Sequence, residues 1–432
     1  MLKSFFKDSF LYSLATLFTK GLGFIMLPIY TRYLSQAEYG VFDYLVSIGS
    51  IVSIIATLEI TQGIMRYVSE GQQDKNVLKA YVSTSVWFTL IVYGAVVTAF
   101  FVFSEEIALF LLDDVEKKNL IQIASLYFCS NSIVYLFNVI FRAQLKAKLA
   151  VVFSLISAVL VASFSLFALL ILKSGIEGVF YAQLAASLII ILLSMINQSQ
   201  YLSFMFDGQI LKQLLSFSLP LVPSSLSIVV SLNADRLMIK EMLNIEALAI
   251  YGVAARVASV VLMLLIGFQS ALTPLIYMNY KRKNTPQEIL KLLYIYLALT
   301  VCSILFLSLF SEPIINLVAG EEYMLATTVI PTLALAAFIS SMYLFFPGLS
   351  LYKKTAIIAK ISIISALLNL PLNYIFIQIF GIVGAAMSTL ISAVFGCLLL
   401  IYKSQEYYFI PIKKRYVALY IFCLMMTFLF LN

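Results

Sequence analysis

A dozen apolar stretches of roughly 20 residues each succeed one another along the 432-residue chain, and each is long enough to cross a ~30 Å hydrocarbon core as a helix. Nothing constrains the fold more. In lipid every backbone polar group must be satisfied within the protein, so only helices and closed barrels can span, and the short alternating segments of a barrel are missing here. The reading is an all-α polytopic membrane protein. Spans are placed near residues 8–31, 41–66, 80–103, 120–141, 149–172 and 178–198, then 216–239, 248–279, 289–311, 326–350, 357–379 and 383–403. A last stretch, 416–431, reads as a short thirteenth span or an interfacial helix. With 62% hydrophobic and 11% charged residues, the chain lacks the polar surface of a soluble protein this size.

The stretches also repeat. At a shift of 209, Leu34-Ser35-Gln36-Ala37-Glu38-Tyr39-Gly40-Val41-Phe42 lies on Leu243-Asn244-Ile245-Glu246-Ala247-Leu248-Ala249-Ile250-Tyr251, and at a shift of 206 Gly175-Ile176-Glu177-Gly178 lies on Gly381-Ile382-Val383-Gly384. Two similar membrane halves are a common build of transporters. The expected organisation is therefore an N-terminal six-helix lobe (1–203), a C-terminal six-helix lobe (204–403) and a tail (404–432).

The residue inventory excludes several chemistries. No histidine is present, which removes zinc chemistry and a Ser-His-Asp triad. No GxxxxGKS-type loop occurs, so no ATP-binding domain is expected. Cys129, Cys302, Cys397 and Cys423 all lie in apolar segments and read as small buried hydrophobes. No cofactor and no metal are expected. The net charge of +7 sits in membrane-flanking loops, which argues against nucleic acid. With the N-terminus inside, 20 of the 28 basic residues fall in inner loops, and the acids Glu105, Glu106, Asp113, Asp114, Glu116, Glu312, Glu321 and Glu322 fall outside. That asymmetry supports the register and a cytoplasmic N-terminus together. The first apolar stretch has no cleavage site and reads as a retained helix.

Charges inside the spans carry the functional reading. Lys20, Arg236 and Arg256 are basic, and Asp43, Glu59 and Asp235 are acidic. A charge at the bilayer centre costs about 2.5–3.5 kcal/mol on insertion scales, so these groups need a water-filled cavity or partners. Two readings stay open: a cationic cavity with ionisable carboxylates on its wall, or internal ion pairs such as Lys20 with Glu59. Residues at i, i+3 or i+4 and i+7 share a helical face. Such stripes run through Ser9, Ser13, Thr16 and Lys20; Glu59, Gln62 and Arg66; Asn131, Tyr135, Asn138 and Arg142; Ser224, Ser227, Ser231 and Asp235; and Ser362, Ser365, Asn369 and Asn373. Asn131, Asn138, Asn369 and Asn373 are the amides expected in a cavity. Pro220 and Pro223 remove two backbone donors from the seventh span and should bend or loosen it.

The stretch Phe24-Ile25-Met26-Leu27-Pro28-Ile29-Tyr30-Thr31-Arg32-Tyr33-Leu34-Ser35-Gln36-Ala37-Glu38-Tyr39-Gly40 resembles the signature of polysaccharide transporters, including O-antigen flippases of the Wzx type. Asp235-Arg236-Leu237, Tyr251-Gly252-Val253-Ala254 and the two Gly-Ile-x-Gly runs are similar to the same family's second half. These proteins belong to the multidrug/oligosaccharidyl-lipid/polysaccharide export superfamily. The resemblance implies two pseudo-symmetric six-helix bundles around a central cavity, moving an undecaprenyl-diphosphate-linked oligosaccharide of lipopolysaccharide or a related polymer by alternating access across the bacterial inner membrane. It implies Lys20, Arg256 and Arg236 as diphosphate partners. Glu59, Asp43 and Asp235 are the candidates for coupling to a proton or ion gradient. The implied partners are the polyprenyl-diphosphate-linked oligosaccharide, membrane lipid and polysaccharide-export machinery, with the protein itself a monomer. A multidrug or small-cation antiporter of the same superfamily is the alternative; a membrane polymerase or ligase is disfavoured by short outer loops.

Overall fold

A computed structural model describes residues 2–70, 74–352 and 354–412, and the stretch 416–431 lies outside the described residues. The chain divides into two compact units, Met1–Val230 and Ser231–Asn432. No strand occurs among the described residues. Nine helices of the described residues are long and apolar enough to span, or ten when the bent pair Glu321–Thr328 and Ile330–Phe345 counts as one. This is a multi-pass membrane protein with the helical architecture expected.

In the first unit the helices are α1 (Leu2–Tyr33), α2 (Gln36–Thr57), α3 (Ile60–Glu70), α4 (Lys75–Val102), α5 (Ser104–Leu112), α6 (Lys118–Ala143), α7 (Ala147–Leu166), α8 (Gly175–Asn197) and α9 (Gly208–Ser218). One 3-10 turn at Leu219–Leu221, containing Pro220, leads into α10 (Val222–Met242), so the prolines tighten the path rather than end it. The second unit continues with α11 (Ile245–Asn279), α12 (Thr285–Val318), α13 (Ile330–Ser341), α14 (Gly348–Leu351) and α15 (Thr355–Gln405). At Gly381 the backbone of α15 turns to φ 59°, ψ −137°, which splits this 51-residue element into two helices matching the expected spans 357–379 and 383–403.

The internal repeat is legible in local chemistry. Ser35 caps α2 in a reciprocal capping box with Glu38, and Asn244, its counterpart at the 209 shift, caps α11 by accepting from the Ala247 amide at 2.7 Å. Gly175 and Gly381, counterparts at the 206 shift, take left-handed φ of 58° and 59°. A Cβ on Gly175 would meet Glu38 Oε1 at 2.8 Å, and one on Gly381 would meet Leu243 at 4.0 Å. Each glycine thus brings its last helix against the start of its unit's second span.

The expected second span, 41–66, is broken. Leu58 and Glu59 both adopt left-handed φ, 49° and 55°, between α2 and α3. That conformation costs roughly 1–2 kcal/mol per non-glycine residue, so packing must hold the break open. An aliphatic plug does so: Ile60, Ile64 and Val68 of α3 pack with Leu78 and Val82 of α4, Ile140 and Phe141 of α6 and Leu214 of α9. Gly63 lets α9 approach closely, since a Cβ there would lie 3.0 Å from the Leu214 carbonyl. At the opposite end an aromatic cluster joins Tyr30, Phe42, Tyr127, Phe128 and Phe180, with centroids 5.4–6.2 Å apart. Gly49 of α2 presses on the Phe128 ring, where a Cβ would approach to 2.5 Å.

Candidate functional site

Between the aromatic cluster and the aliphatic plug lies a chamber of about 750 Å³ within the first unit. Its walls come mainly from α2, the Leu58–Glu59 break, α3, α6 and α7, with Thr19 of α1, Thr89 of α4, Ile190 and Ser194 of α8 and Val229 of α10. Glu59 is the one acid and Arg142 the one base among the lining residues. Hydroxyls and amides supply the rest of the polarity: Ser50, Ser53, Thr57, Thr61, Gln62, Asn131, Ser132, Tyr135, Asn138, Ser154 and Ser157.

Some of these groups hold helices together and some are left for a ligand. Tyr93 of α4 places its hydroxyl 2.6 Å from Ser132 Oγ and 3.0 Å from Ser53 Oγ, and those two serines lie 2.9 Å apart, joining α2, α4 and α6. Asn138 donates to the Ala150 carbonyl at 3.0 Å and to Ser154 Oγ at 2.8 Å, tying α6 to α7. Asn131, Tyr135 and Gln62 are exposed and line the chamber. Two lining hydroxyls, Thr89 Oγ1 and Ser194 Oγ, are buried without a hydrogen-bond partner, which marks them as sites for a bound water or ligand group. Arg142 lies over the Tyr12 ring, 5.2 Å from its centroid.

The break shapes this wall as much as the side chains do. Helix ends leave backbone N–H and C=O groups without intrahelical partners, so α2 ends and α3 begins at the chamber with opposite partial charges. Glu59 sits at that junction, half-buried, with its side chain on the chamber.

Lys20 is exposed, next to the chamber-lining Thr19 but not itself among the lining residues. Asp43 is buried in α2, 5% exposed, outside the lining. Of the expected stripes, Asn131, Tyr135, Asn138 and Arg142 all reach the chamber, as do Glu59 and Gln62, whereas Arg66 instead covers the Phe217 ring at 4.7 Å.

In the second unit two stripes meet at their ends. Asn373 Nδ2 donates to Asp235 Oδ1 at 2.6 Å and to Asn369 Oδ1 at 3.0 Å. Asp235 Oδ2 accepts from Tyr251 at 2.5 Å and from Thr389 at 2.6 Å. Asp235 is 8% exposed and Asn373 fully buried, and Asn373 Oδ1 has no partner. A carboxylate and an orphan carbonyl oxygen therefore share one dry pocket with two hydroxyls. The sequence names Asp235, Asn369 and Asn373 as site residues, whereas Tyr251 enters only through the repeat and the family-like motif and Thr389 not at all. A signal for them existed in the repeat, where the first half has Met26, Phe42 and Gln183 opposite Asp235, Tyr251 and Thr389. Arg236 and Arg256 are half-buried on α10 and α11, and Arg236 Nη1 lies 3.4 Å from the Leu232 carbonyl.

The family model described as polysaccharide biosynthesis protein matches residues 5–280, and the MatE model matches residues 220–375. The probable low-salt glycan biosynthesis flippase Agl15 of Haloferax volcanii is 24% identical over 412 residues, covering 93% of this chain and 84% of that protein. Among solved structures, the lipid II flippase MurJ in an inward closed conformation superposes with a TM-score of 0.75 at 19% identity, covering 97% of this chain and 92% of the other. An inward-facing multidrug resistance transporter of the MATE family and MOP superfamily gives 0.71 at 18% identity, covering 94% and 95%. The fold is thus that of this superfamily, and the proteins it is shared with are flippases and transporters rather than enzymes.

Proposed function

The chain belongs to the polysaccharide biosynthesis protein family, and from that premise we propose that it is a flippase carrying a polyprenyl-diphosphate-linked oligosaccharide across the membrane by alternating access. In a bacterial cell the carrier is undecaprenyl diphosphate, the protein sits in the inner membrane with a cytoplasmic N-terminus, and the sugar moves outward. The observation that carries this reading is the chemistry of the chamber: hydroxyls, amides and tyrosine faces with a single acid and a single base. A sugar offers many neutral donors and acceptors, each losing hydration on entry, and a wall of such groups replaces water one bond at a time. The greasy anchor stays in lipid while the glycan crosses through polar surroundings.

A diphosphate brings negative charge that hydrocarbon alone excludes. Lys20, Arg236 and Arg256 are assigned to it, each as a donor of charge-assisted hydrogen bonds to phosphate oxygens. Asp235 is assigned to gradient coupling. Its network of hydroxyls and amides, with the unpartnered Asn373 Oδ1 alongside, supports a seat for a sodium ion or a proton. Glu59, on the chamber wall, and Asp43, buried in α2, are the other coupling candidates. The flippase works as a monomer that hands its product to export machinery.

The test follows lipid-linked repeat units in a deletion strain complemented with wild type, Lys20→Ala, Arg256→Ala or Glu59→Gln. Repeat units are expected to accumulate on the cytoplasmic face with each basic variant. Normal surface polysaccharide from both would remove the diphosphate assignment. The Glu59 carboxylate in the chamber and the MATE-type fold favour one other reading, a cation antiporter. Uptake of a cationic dye into proteoliposomes in exchange for protons or sodium, with no movement of lipid-linked sugar, would establish that reading instead.

A further inference from the structure

The segment between α8 and α9, within the first unit, carries three consecutive exposed apolar residues: Phe204 is 97% exposed, Met205 47% and Phe206 49%. Water is a poor neighbour for such a run, and the segment's backbone explains what the neighbour is. Between α8 and α9 the chain forms a 3-10 turn at Ser199–Tyr201 and then an irregular stretch to the Asp207 cap of α9. That stretch is fastened to one face of α4. Ser83 Oγ donates to the Tyr201 carbonyl at 3.0 Å and accepts from the Ser203 amide at 3.0 Å. Trp87 Nε1 donates to the Ser203 carbonyl at 2.8 Å, and Thr84 Oγ1 accepts from the Asp207 amide at 3.2 Å. The segment meets α4 at Ser83, reaches Trp87 one turn further along, and returns to Thr84.

The level of that dip can be placed. Lys79 is the last charge before the apolar run of α4, and Trp87 lies eight residues further on, roughly 12 Å along the helix. The run from Lys79 to the helix end at Val102 is roughly 35 Å long. It outlasts a ~30 Å core by only ~5 Å, which sets Trp87 roughly 7–12 Å and Ser83 roughly 1–6 Å inside the hydrocarbon boundary. Non-helical backbone in the hydrocarbon is tolerated only where the protein satisfies its polar groups, and the Ser83, Thr84 and Trp87 ladder does so for the Tyr201 and Ser203 carbonyls and the Ser203 and Asp207 amides, which favours a seat for Phe204-Met205-Phe206 at the boundary, within reach of water. Trp87 also stacks on Phe204 with centroids 5.4 Å apart, and tryptophan, with its apolar ring and polar N–H, is enriched at membrane-water boundaries. On the water side of the dip, Lys146 sits over the Tyr201 ring at 5.0 Å.

We propose that Phe204-Met205-Phe206 is an interfacial anchor: the segment between α8 and α9 is seated in the bilayer, with its partner the boundary between phospholipid headgroups and upper acyl chains. Depth-dependent quenching tests it, because Trp87 is the chain's single tryptophan. The protein is reconstituted into vesicles of phosphatidylcholine brominated either near the glycerol end or near the methyl end of the acyl chain, with iodide as the aqueous quencher. An F206W variant that keeps Trp87 and its bond to Ser203 adds a reporter on the segment, and wild type reports the depth of the platform. The fluorescence that F206W adds over wild type is expected to be quenched at least twofold more by the lipid brominated near the glycerol end than by the other lipid or iodide, and Trp87 itself at least twofold more by brominated lipid than by iodide. Quenching of the F206W reporter by iodide with no effect of either lipid would place the segment in water and overturn the proposal. Strongest quenching from the methyl end would overturn the interfacial depth. A protected reporter, quenched by none of the three, would mean that protein covers the segment, and the lipid partner would be withdrawn.

Discussion

Asp235→Asn and Asp235→Ala should separate stability from coupling. Alanine removes an acceptor shared by three donors. Two of those donors have a second partner: Thr389 reaches the Ala385 carbonyl at 3.1 Å, and Asn373 keeps Asn369 Oδ1 at 3.0 Å. Tyr251, only 2% exposed, keeps the Thr389 hydroxyl within hydrogen-bonding reach but loses the carboxylate that accepts from it. Losing a buried hydrogen bond to a charged group costs about 1.5–3 kcal/mol, and the vacated carboxyl volume adds about 1 kcal/mol, giving a loss of about 3 kcal/mol. Asparagine keeps the volume and an oxygen toward Tyr251 and Thr389. Its new amide meets Asn373, whose Oδ1 now lacks a partner and can turn to accept it. The expected loss is about 1 kcal/mol. Unfolding of detergent-solubilised protein, with translocation measured in proteoliposomes, reads both effects. Asp235→Asn should fold nearly as wild type and fail to couple. A bound ion stabilises the native state by mass action, about 1.4 kcal/mol for each tenfold rise above its Kd, so wild type should gain from added sodium or protons and Asp235→Asn should not. An asparagine variant that couples like wild type refutes the assignment; an alanine variant as stable as the asparagine one refutes the hydrogen-bond reasoning.

Asn131→Leu and Asn138→Leu should part company: the first leaves stability unchanged and lowers translocation, while the second, which breaks the α6–α7 tie, costs about 1–2 kcal/mol in an unfolding assay. Gly384→Ala should abolish folded protein on size-exclusion chromatography, because its Cβ would fall 1.9 Å from the Phe376 carbonyl oxygen, whereas Gly94→Ala meets nothing within 4 Å and should be neutral or slightly stabilising. Lys118, hydrogen-bonded at 2.6 Å, holds the Glu105 carboxyl below its ordinary value of 4.5. A depressed carboxylate contributes its stabilisation above the unfolded-state value and loses it as pH falls through the folded one, so pepsin nicking of α5 should rise in that acid window and Glu105→Gln should be nicked without that dependence.

The spans were legible because length and hydropathy dominate in lipid, and the capping residues Ser35 and Asn244 and the paired glycines Gly175 and Gly381 announced their own geometry. The break at Leu58–Glu59 was not. Neither residue is glycine, proline or asparagine, and what holds them left-handed is the packing of α3 against α4, α6 and α9, which no local pattern encodes. Asn138 reads as a cavity group in sequence because spacing gives the face of a residue and not its partner; the α7 carbonyl that engages its amide appears only in three dimensions. As partners of Asp235, Tyr251 and Thr389 stayed hidden for a related reason. A tyrosine and a threonine in apolar helices look like packing until the carboxylate they serve is seen beside them.

The interruption between α2 and α3 has a corollary for selectivity. Peptide dipoles at a helix junction survive any change of side chain, so this part of the wall stays hydrophilic whatever residues surround it. Under the proposed function, substitutions at Gln62, Asn131 or Tyr135 should change which sugar the chamber accepts while leaving its backbone wall in place.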